Sequence, residues 1–120
     1  MAKSSLPISE NTRLPSIQEV DIKEVNYFFG EGLNTLLCFQ EAADFKILES
    51  SNEIWNNYGK KNNFFPLTAF DQKVYVNGRH ISRLRAKRSN TLIDFKNGGE
   101  LWVQEEIFEV LQLKGVRNKK

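Results

Sequence analysis

The feature that most constrains this chain is an alternation of apolar and polar residues over positions 70–111. Apolar residues recur there at every second position, the period of strands with one buried face. The pairs that share a face are Val74 and Val76, Leu84 and Ala86, Ile93 and Phe95, and Leu101 and Val103. Polar breaks separate these pairs at Asn77-Gly78, Ser89-Asn90 and Asn97-Gly98-Gly99. Because Asn-Gly and Gly-Gly pairs favour hairpin turns, the stretch predicts three or four antiparallel strands, followed by a short helix over 105–113.

The opposite face of the same strands is basic. Its cations are Arg79, Arg83, Arg85, Lys87 and Arg88. No acidic residue falls between Asp71 and Asp94, although the formal net charge of the whole chain is only +2. Two interpretations follow. The cations form one binding face for a polyanion, or Arg83, Arg85 and Lys87 are a solvated strand face that pairs across the sheet with Asp94 and Glu100 and Arg79 is a simple surface residue.

The length of 120 residues is typical of one domain with its own core. Polar residues dominate positions 1–13, which predicts a flexible tail or linker. The composition places the domain at 14–113 and a basic tail at 114–120. The sequence shows no internal repeat.

Cysteine and apolar content restrict the compartment and the chemistry. The single Cys38 lies in an apolar run, which excludes a disulfide framework and favours a buried thiol in a reducing compartment. No apolar run approaches roughly 18 residues, and no signal peptide is visible, so we expect a cytoplasmic protein without a membrane partner. Since no nucleophile, phosphate loop or metal cluster converges, we expect no enzyme, no cofactor, no metal and no small-molecule substrate.

The first half of the chain predicts short strands around one helix. Alternation over 17–26 predicts one weak strand and a second that starts near Glu24, and apolar runs predict strands over 34–40 and 45–48. Ser50 and Glu53 have the spacing of a capping box for a helix over 50–58, and Gly59 stands at the expected C-cap. Pro66 then marks either an edge strand or an entry kink. Together these elements predict a mostly β fold.

The order of these elements resembles the LytTR family of bacterial DNA-binding domains over roughly residues 17–111. The matching segments are Val25-Asn26-Tyr27-Phe28, residues 50–58, Val74-Tyr75-Val76-Asn77 with Ile81, and Phe95-Lys96-Asn97-Gly98 with Leu101 and Val103. The resemblance implies elongated antiparallel sheets with one central short helix and a C-terminal helix. It also implies the DNA-binding module of a transcriptional regulator, of the response-regulator kind, which contacts DNA through three loops at one end.

By the matched motifs, those loops fall on residues 30–34, Asp71-Gln72-Lys73 and Gln104-Glu105-Glu106. The family customarily presents cationic or hydrogen-bonding side chains there. This chain has Asp71 and Gln72 before its Val-Asn motif, Gln104 and Glu105 in the last loop, and Glu31 in the first. Acids replace several of the customary cations, and acids near phosphates lower affinity.

If the strands alternate in direction, the same end also holds the hairpin tip over 87–90. Cations there can then neutralise phosphates, while Asn and Gln side chains pair with adenine. The candidate DNA-binding residues are Asn34, Gln72, Lys73, Arg79, Arg83, Arg85, Lys87, Arg88, Asn90 and Gln104. We expect double-stranded promoter DNA as the partner, bound by two copies or a homodimer. The alternative is a protein-interaction module, with the loop acids facing a basic partner and Trp102 as its anchor.

Overall fold

The computed structural model describes residues 14–39 and 45–118. Its strands are β1 (Tyr27–Glu31), β2 (Asn34–Cys38), β3 (Phe45–Ile47), β4 (Phe64–Ala69), β5 (Gln72–Asn77), β6 (Ile81–Lys87), β7 (Asn90–Phe95) and β8 (Glu100–Val103), and its α-helices are α1 (Ser51–Ile54) and α2 (Ile107–Asn118). The strands form a five-stranded sheet in the order β3-β2-β1-β5-β4 and a three-stranded sheet in the order β6-β7-β8. With extents of 57 × 29 × 24 Å, the elongated, mostly β fold is confirmed.

The five-stranded sheet is buried on both faces. One face packs against the three-stranded sheet and α2, in a core that contains Phe65, Leu67, Val74, Val76, Ile93, Phe95, Leu101, Val103 and Val110. The other face packs against the central helix and the N-terminal turns, in a core that contains Ile17, Ile22, Val25, Phe28, Leu37, Ile54, Phe64 and Tyr75. The prediction that β5 is half-buried is therefore wrong, because Tyr75 is covered on the face opposite Val74 and Val76.

The central helix begins where the sequence predicts and ends later. The Ser50 hydroxyl accepts a hydrogen bond from the Glu53 backbone N–H at 3.2 Å, which confirms the N-cap. The chain then continues as a π-helical turn (Trp55–Gly59) and a 3₁₀ turn (Lys60–Asn62), and left-handed Asn63 ends it. Gly59 has φ −64° and is not a C-cap. A Cβ at Gly59 would lie 2.9 Å from Trp55 Cε3, so close packing of the indole requires the glycine.

Two 3₁₀ turns, Ile17–Glu19 and Ile22–Glu24, replace the strands predicted over residues 17–26. The side chains of Ser16 and Asp21 accept hydrogen bonds from the backbone N–H groups two residues later, which stabilises turns over strands. The full capping box forms here, between Ser16 and Glu19. Burial of Ile17 and Ile22 follows from these turns rather than from a strand period.

The prediction of a hairpin at Asn77-Gly78 is wrong. A 3₁₀ turn (Gly78–His80) connects the two sheets there, because the Asn77 side chain caps the turn by accepting from Arg79 N–H at 3.0 Å. The β4–β5 hairpin instead turns at Phe70 and Asp71, with φ of 55° and 59°. Arg88 (φ 57°) turns the predicted β6–β7 hairpin.

Other boundaries differ in smaller ways. Strand β4 lies at an edge of its sheet, as Pro66 predicts, and Cys38 is buried. Helix α2 begins at Ile107 rather than at 105 and runs to Asn118, into the predicted basic tail over 114–120. The predicted tail over 1–13 lies outside the described residues, so the domain limits stay predictions.

The fold contains a structural repeat, although the sequence shows no internal repeat. The units β1-β2-β3-α1 and β6-β7-β8-α2 have the same strand register when each residue is matched to the one 56 positions later. Tyr27 pairs with Cys38 as Arg83 pairs with Asp94, and Phe28 pairs with Leu37 as Leu84 pairs with Ile93. Thr35 pairs with Ile47 as Thr91 pairs with Val103.

Side-chain hydrogen bonds repeat with the backbone. Asn34 Nδ2 donates to the Leu48 carbonyl at 2.8 Å, as Asn90 Nδ2 donates to the Gln104 carbonyl at 3.3 Å. The threonine hydroxyl that follows each asparagine donates at 2.8 Å to the next carbonyl, that of Glu49 or Glu105. The sequence conceals this repeat because the two units pack against different neighbours. The Asn-Thr-Leu triplet at positions 34 and 90 is its clearest trace.

Candidate nucleic-acid interface

Four loops meet at one end of the molecule, and we call this region the loop end. It comprises residues 31–34 around the β1–β2 turn, 70–73 around the β4–β5 turn, 87–90 around the β6–β7 turn, and the segment Gln104-Glu105-Glu106. Antiparallel pairing of β1 with β2 and β5, of β4 with β5, and of β7 with β6 and β8 places these loops together. This is the grouping that alternating strand directions predict.

Gln104 joins the loops of the two sheets. Its backbone N–H donates to the Thr68 carbonyl at 2.8 Å, and its side-chain Oε1 accepts from the Asp71 backbone N–H at 3.0 Å. Its own carbonyl accepts from Asn90 Nδ2 at 3.3 Å. The β4–β5 turn and the β6–β7 hairpin are therefore held in a fixed relation, as a surface that recognises one ligand geometry requires.

Three cations of the loop end are exposed. Lys73 lies near the start of β5, Lys87 ends β6, and Arg88 occupies the turn that follows. Within the part of the chain that the structure describes, none of the three forms an ion pair. Uncommitted cations of this kind are available to phosphate oxygens.

Two of the loop-end acids are engaged inside the protein. The carboxylate of Glu31 lies 3.1 Å from Lys46 Nζ. Glu105 Oε1 accepts a hydrogen bond from the Thr68 backbone N–H at 2.9 Å. Asp71 and Glu106 stay exposed. The acids that replace the customary cations of the family therefore repel an anion less than their number suggests.

The four candidate amides, those of Asn34, Gln72, Asn90 and Gln104, differ in which of their hydrogen-bonding atoms are free. Asn34 and Asn90 each commit their Nδ2 to a backbone carbonyl, and Gln104 commits its Oε1. The exposed Gln72 amide makes no hydrogen bond with any residue that the structure describes. Because bidentate recognition of adenine needs both the oxygen and the nitrogen of one amide, Gln72 is the best placed of the four.

Arg83 and Arg85 pair across the outer face of the three-stranded sheet. Arg85 Nε and a terminal guanidinium nitrogen contact Asp94 at 2.8 and 2.9 Å, and Arg83 Nε contacts it at 3.2 Å. Arg85 also lies 3.4 Å from Glu100. The hydrogen bond from Arg85 is the main cause that holds the pKa of Asp94 below its ordinary value. The paired-face interpretation of these two arginines is confirmed.

Arg79 lies at the opposite end of the molecule, where polar side chains join the two sheets. Asn77 Nδ2 donates to the Val25 carbonyl at 3.0 Å. His80 Nδ1 lies 2.7 Å from Asn26 Oδ1, which also accepts from Asn97 Nδ2 at 3.1 Å. These contacts give Asn77 of the Val-Asn motif a structural role at the joint between the two sheets. Arg79 lies at this joint and not among the loop-end cations.

Exposed apolar side chains also occur at and near the loop end. Leu33 is 87% exposed and Phe70 is 62% exposed, each at the tip of a two-residue turn. Neither residue is among the candidate DNA contacts that the sequence predicts. An apolar residue in a tight turn is the signal that indicates them, although the Phe70 ring also packs against Phe29 at a centroid distance of 5.7 Å. Trp102 is 51% exposed on the outer face of β8, as its position out of step with Leu101 and Val103 predicts.

No helix in the described part of the chain is long and apolar enough to cross a membrane. Within residues 14–39 and 45–118, no group of three or more His, Cys, Asp or Glu side chains is placed to hold a metal ion.

A solved structure shares this fold. It is the LytTr DNA-binding domain of a protein described as a methyl-accepting/DNA response regulator from Bacillus cereus. The two chains are 20% identical, the TM-score is 0.58, and the match covers 80% of this chain and 85% of that one. No family model and no curated protein sequence matches the chain. The chain thus has the LytTR-type fold, and the resemblance seen in its sequence is confirmed at the level of structure.

Proposed function

We propose that this chain is the DNA-binding module of a bacterial transcriptional regulator and contacts duplex DNA with its loop end. The observation that carries the proposal is a fixed cluster of free cations and amides on a fold shared with a DNA-binding domain. Lys73, Lys87 and Arg88 neutralise phosphates, and the module acts without catalysis. A cytoplasmic location and two copies on adjacent sites belong to the same proposal.

Base recognition falls first to Gln72, whose whole amide is free for the N6 and N7 edge of adenine in the major groove. Asn34, Asn90 and Gln104 mainly shape the loops, and each keeps one amide atom for a base or phosphate. Leu33 and Phe70 offer apolar contacts suited to thymine methyl groups. The proposal gives Arg79, Arg83 and Arg85 no contact with DNA, because the first lies at the far end and the others are paired with Asp94.

The number of free cations sets the expected salt dependence. Three phosphate contacts give a slope of log K against log salt of about −2.7, at about −0.9 per neutralised phosphate. Affinity then falls roughly 40-fold between about 50 and 200 mM salt, a shallower fall than that of strongly basic DNA-binding proteins. The two exposed acids, Asp71 and Glu106, lower the affinity at every salt concentration.

The test is fluorescence anisotropy of a labelled mixed-sequence duplex, measured across this salt range. The variant Lys87→Glu/Arg88→Glu should lose measurable binding. The control Lys61→Glu/Lys96→Glu makes the same change in net charge at exposed positions near the opposite end, and it should bind like wild type. Absence of binding by folded wild-type protein at low salt would refute the proposal, and equal losses in both variants would refute the location.

The alternative of a protein-interaction module anchored on Trp102 is less well supported, because the loop acids Glu31 and Glu105 are already engaged within the protein. A contact centred on tryptophan depends little on salt, whereas a DNA complex weakens as salt rises. Binding of the duplex that weakens as salt rises would therefore favour the DNA-binding module, whereas a module that contacts only proteins would leave the anisotropy of the duplex unchanged at every salt concentration.

A further inference from the structure

Strand β6 has an open edge, whereas its counterpart in the structural repeat does not. In the first unit, β1 pairs with β2 on one side and with β5 on the other, where Phe28 lies opposite Tyr75. In the second unit, β6 pairs with β7 on one side, and no strand in the described part of the chain pairs with its other edge. In the first unit, the element that covers the edge corresponding to the open edge of β6 is therefore an antiparallel strand, β5.

A side chain of the covering strand fills a specific place in the first unit. The Tyr75 ring stacks on Phe28 of β1 and on Trp55 of the central helix, with centroid distances of 5.0 and 4.8 Å. The counterparts of Phe28 and Trp55, 56 positions later, are Leu84 and Leu111. Leu84 and Leu111 line a groove of about 330 Å³ between β6 and α2, together with Ile81 and Ile107.

The burial of the matched residues agrees with this correspondence between the two units. Phe28 is fully buried, whereas Leu84 is only partly buried and Leu111 is 52% exposed. A Cβ at Gly59 would collide with Trp55, whereas a Cβ at its counterpart Gly115 would meet nothing within 4 Å. The second unit thus retains the backbone of a covered edge and lacks the side chain that would fill the groove.

We propose that the open edge of β6 and the adjoining groove bind an extended segment of a partner protein as an additional strand, antiparallel to β6. The backbone of the segment pairs with β6, and an aromatic or large aliphatic side chain opposite Leu84 enters the groove, as Tyr75 does in the first unit. Its neighbours on either side face Arg83 and Arg85 on the outer surface. Both arginines pair with Asp94, but their side chains stay 65% and 38% exposed, so Asp or Glu is favoured there over a cation.

Charge argues for this partner over a second copy of the chain. Two β6 strands paired across a twofold axis would bring the row Arg83, Arg85 and Lys87 against the same row of the other copy. Like charges opposite each other destabilise strand pairing, and cationic edges commonly prevent self-association. Asp94 and Glu100 offset part of the charge of this row, and an acidic, alternating segment meets the positive charge that remains, which Lys87 carries without an ion pair in the described part of the chain.

The test uses an acetylated and amidated peptide, Thr-Val-Glu-Tyr-Glu-Val-Thr, added to ¹⁵N-labelled protein and followed by amide chemical shifts. We expect shifts concentrated in β6 and in the groove-facing part of α2. Leu111→Lys places a charge in the groove and should weaken binding at least tenfold. The control Leu48→Lys changes a side chain of similar exposure, 56%, in the first unit and should bind the peptide like wild type.

Backbone methylation distinguishes strand pairing from simple occupation of the groove. One peptide carries N-methyl groups at both Glu residues, and a second carries them at the Tyr and one Val. Because alternate N–H groups of a strand point to opposite edges, one peptide should lose binding and the other should retain it. Equal binding of both would refute strand addition.

Two further results would overturn the proposal. The first is that saturating peptide leaves the amide shifts of β6 unchanged. The second is that sedimentation shows a dimer of the protein that Leu111→Lys dissociates. The second result would identify another copy of the chain as the occupant. Neither result bears on DNA binding at the loop end, which is measured separately.

Discussion

Asn77 should be among the most costly polar residues to remove, because its side chain holds three backbone groups at the joint between the sheets. Its Nδ2 donates to the Val25 and Lys23 carbonyls at 3.0 and 3.3 Å, and its Oδ1 accepts from Arg79 N–H at 3.0 Å. Asn77 is 1% exposed. Asn77→Ala removes these bonds and leaves buried groups without partners, which costs about 2–4 kcal/mol of a total stability of about 5–15 kcal/mol.

Asn77→Asp tests the donor role separately from the loss of volume. Aspartate keeps an acceptor for Arg79 N–H but turns a negative oxygen toward the Val25 carbonyl, so the folded state should raise the pKa of the new carboxyl above its ordinary value. When the folded-state pKa is raised, the protonated form favours folding, and that contribution is lost as pH rises. The variant should therefore be more destabilised relative to wild type at pH 7 than at about pH 4.5.

Urea denaturation followed by circular dichroism measures the free energy of unfolding for each variant at both pH values. Asn62→Ala is the matched control, because Asn62 makes a single hydrogen bond, to the Tyr58 carbonyl at 2.7 Å, and is half-buried. It should cost less than about 1.5 kcal/mol. If Asn77→Ala costs no more than the control, or if Asn77→Asp shows no dependence on pH, the joint described here is not what stabilises the fold.

Two other substitutions test separate parts of the structure. Ser50→Ala removes the N-cap of the central helix and should cost about 0.5–2 kcal/mol in urea denaturation, and an unchanged midpoint would contradict the observed cap. Asp94→Asn removes a carboxylate whose pKa the Arg85 hydrogen bond lowers, so its stabilising contribution is present at neutral pH and lost as pH falls through the lowered pKa. The stability difference from wild type should shrink on acidification, and a constant difference between pH 7 and about pH 2 would contradict this account.

Much of the fold could be predicted from local patterns. Alternation located β6, β7 and β8, and the spacing of Ser50 and Glu53 located the start of the helix. The same patterns gave wrong predictions where a side chain accepts a hydrogen bond from a nearby backbone N–H group and so stabilises a turn. Ser16 and Asp21 convert an apparent strand into turns, and Asn77 converts an apparent hairpin into a joint between sheets.

The candidate interface was predictable as a group of loops and less so residue by residue. Alternating strand directions place Lys73, Lys87 and Arg88 at one end. The pairing of Arg83 with Asp94 was one of the two interpretations that the sequence offered, whereas the hydrogen bond between Glu105 and Thr68 joins segments 37 residues apart and was not predicted. The structural repeat could not be recognised in the sequence for a related reason. The two units share a backbone arrangement but pack against different neighbours, so their side chains differ.

The most direct test of the central claim maps where DNA contacts the protein. Duplex DNA is added to ¹⁵N-labelled protein at low salt, and the shifted amides are located in the structure. We predict shifts at the loop end, in residues around Leu33, Gln72, Arg88 and Gln104, and none around Asn26, Asn77, His80 and Asn97. Shifts concentrated at that second group, or none in the presence of excess DNA, would contradict the account.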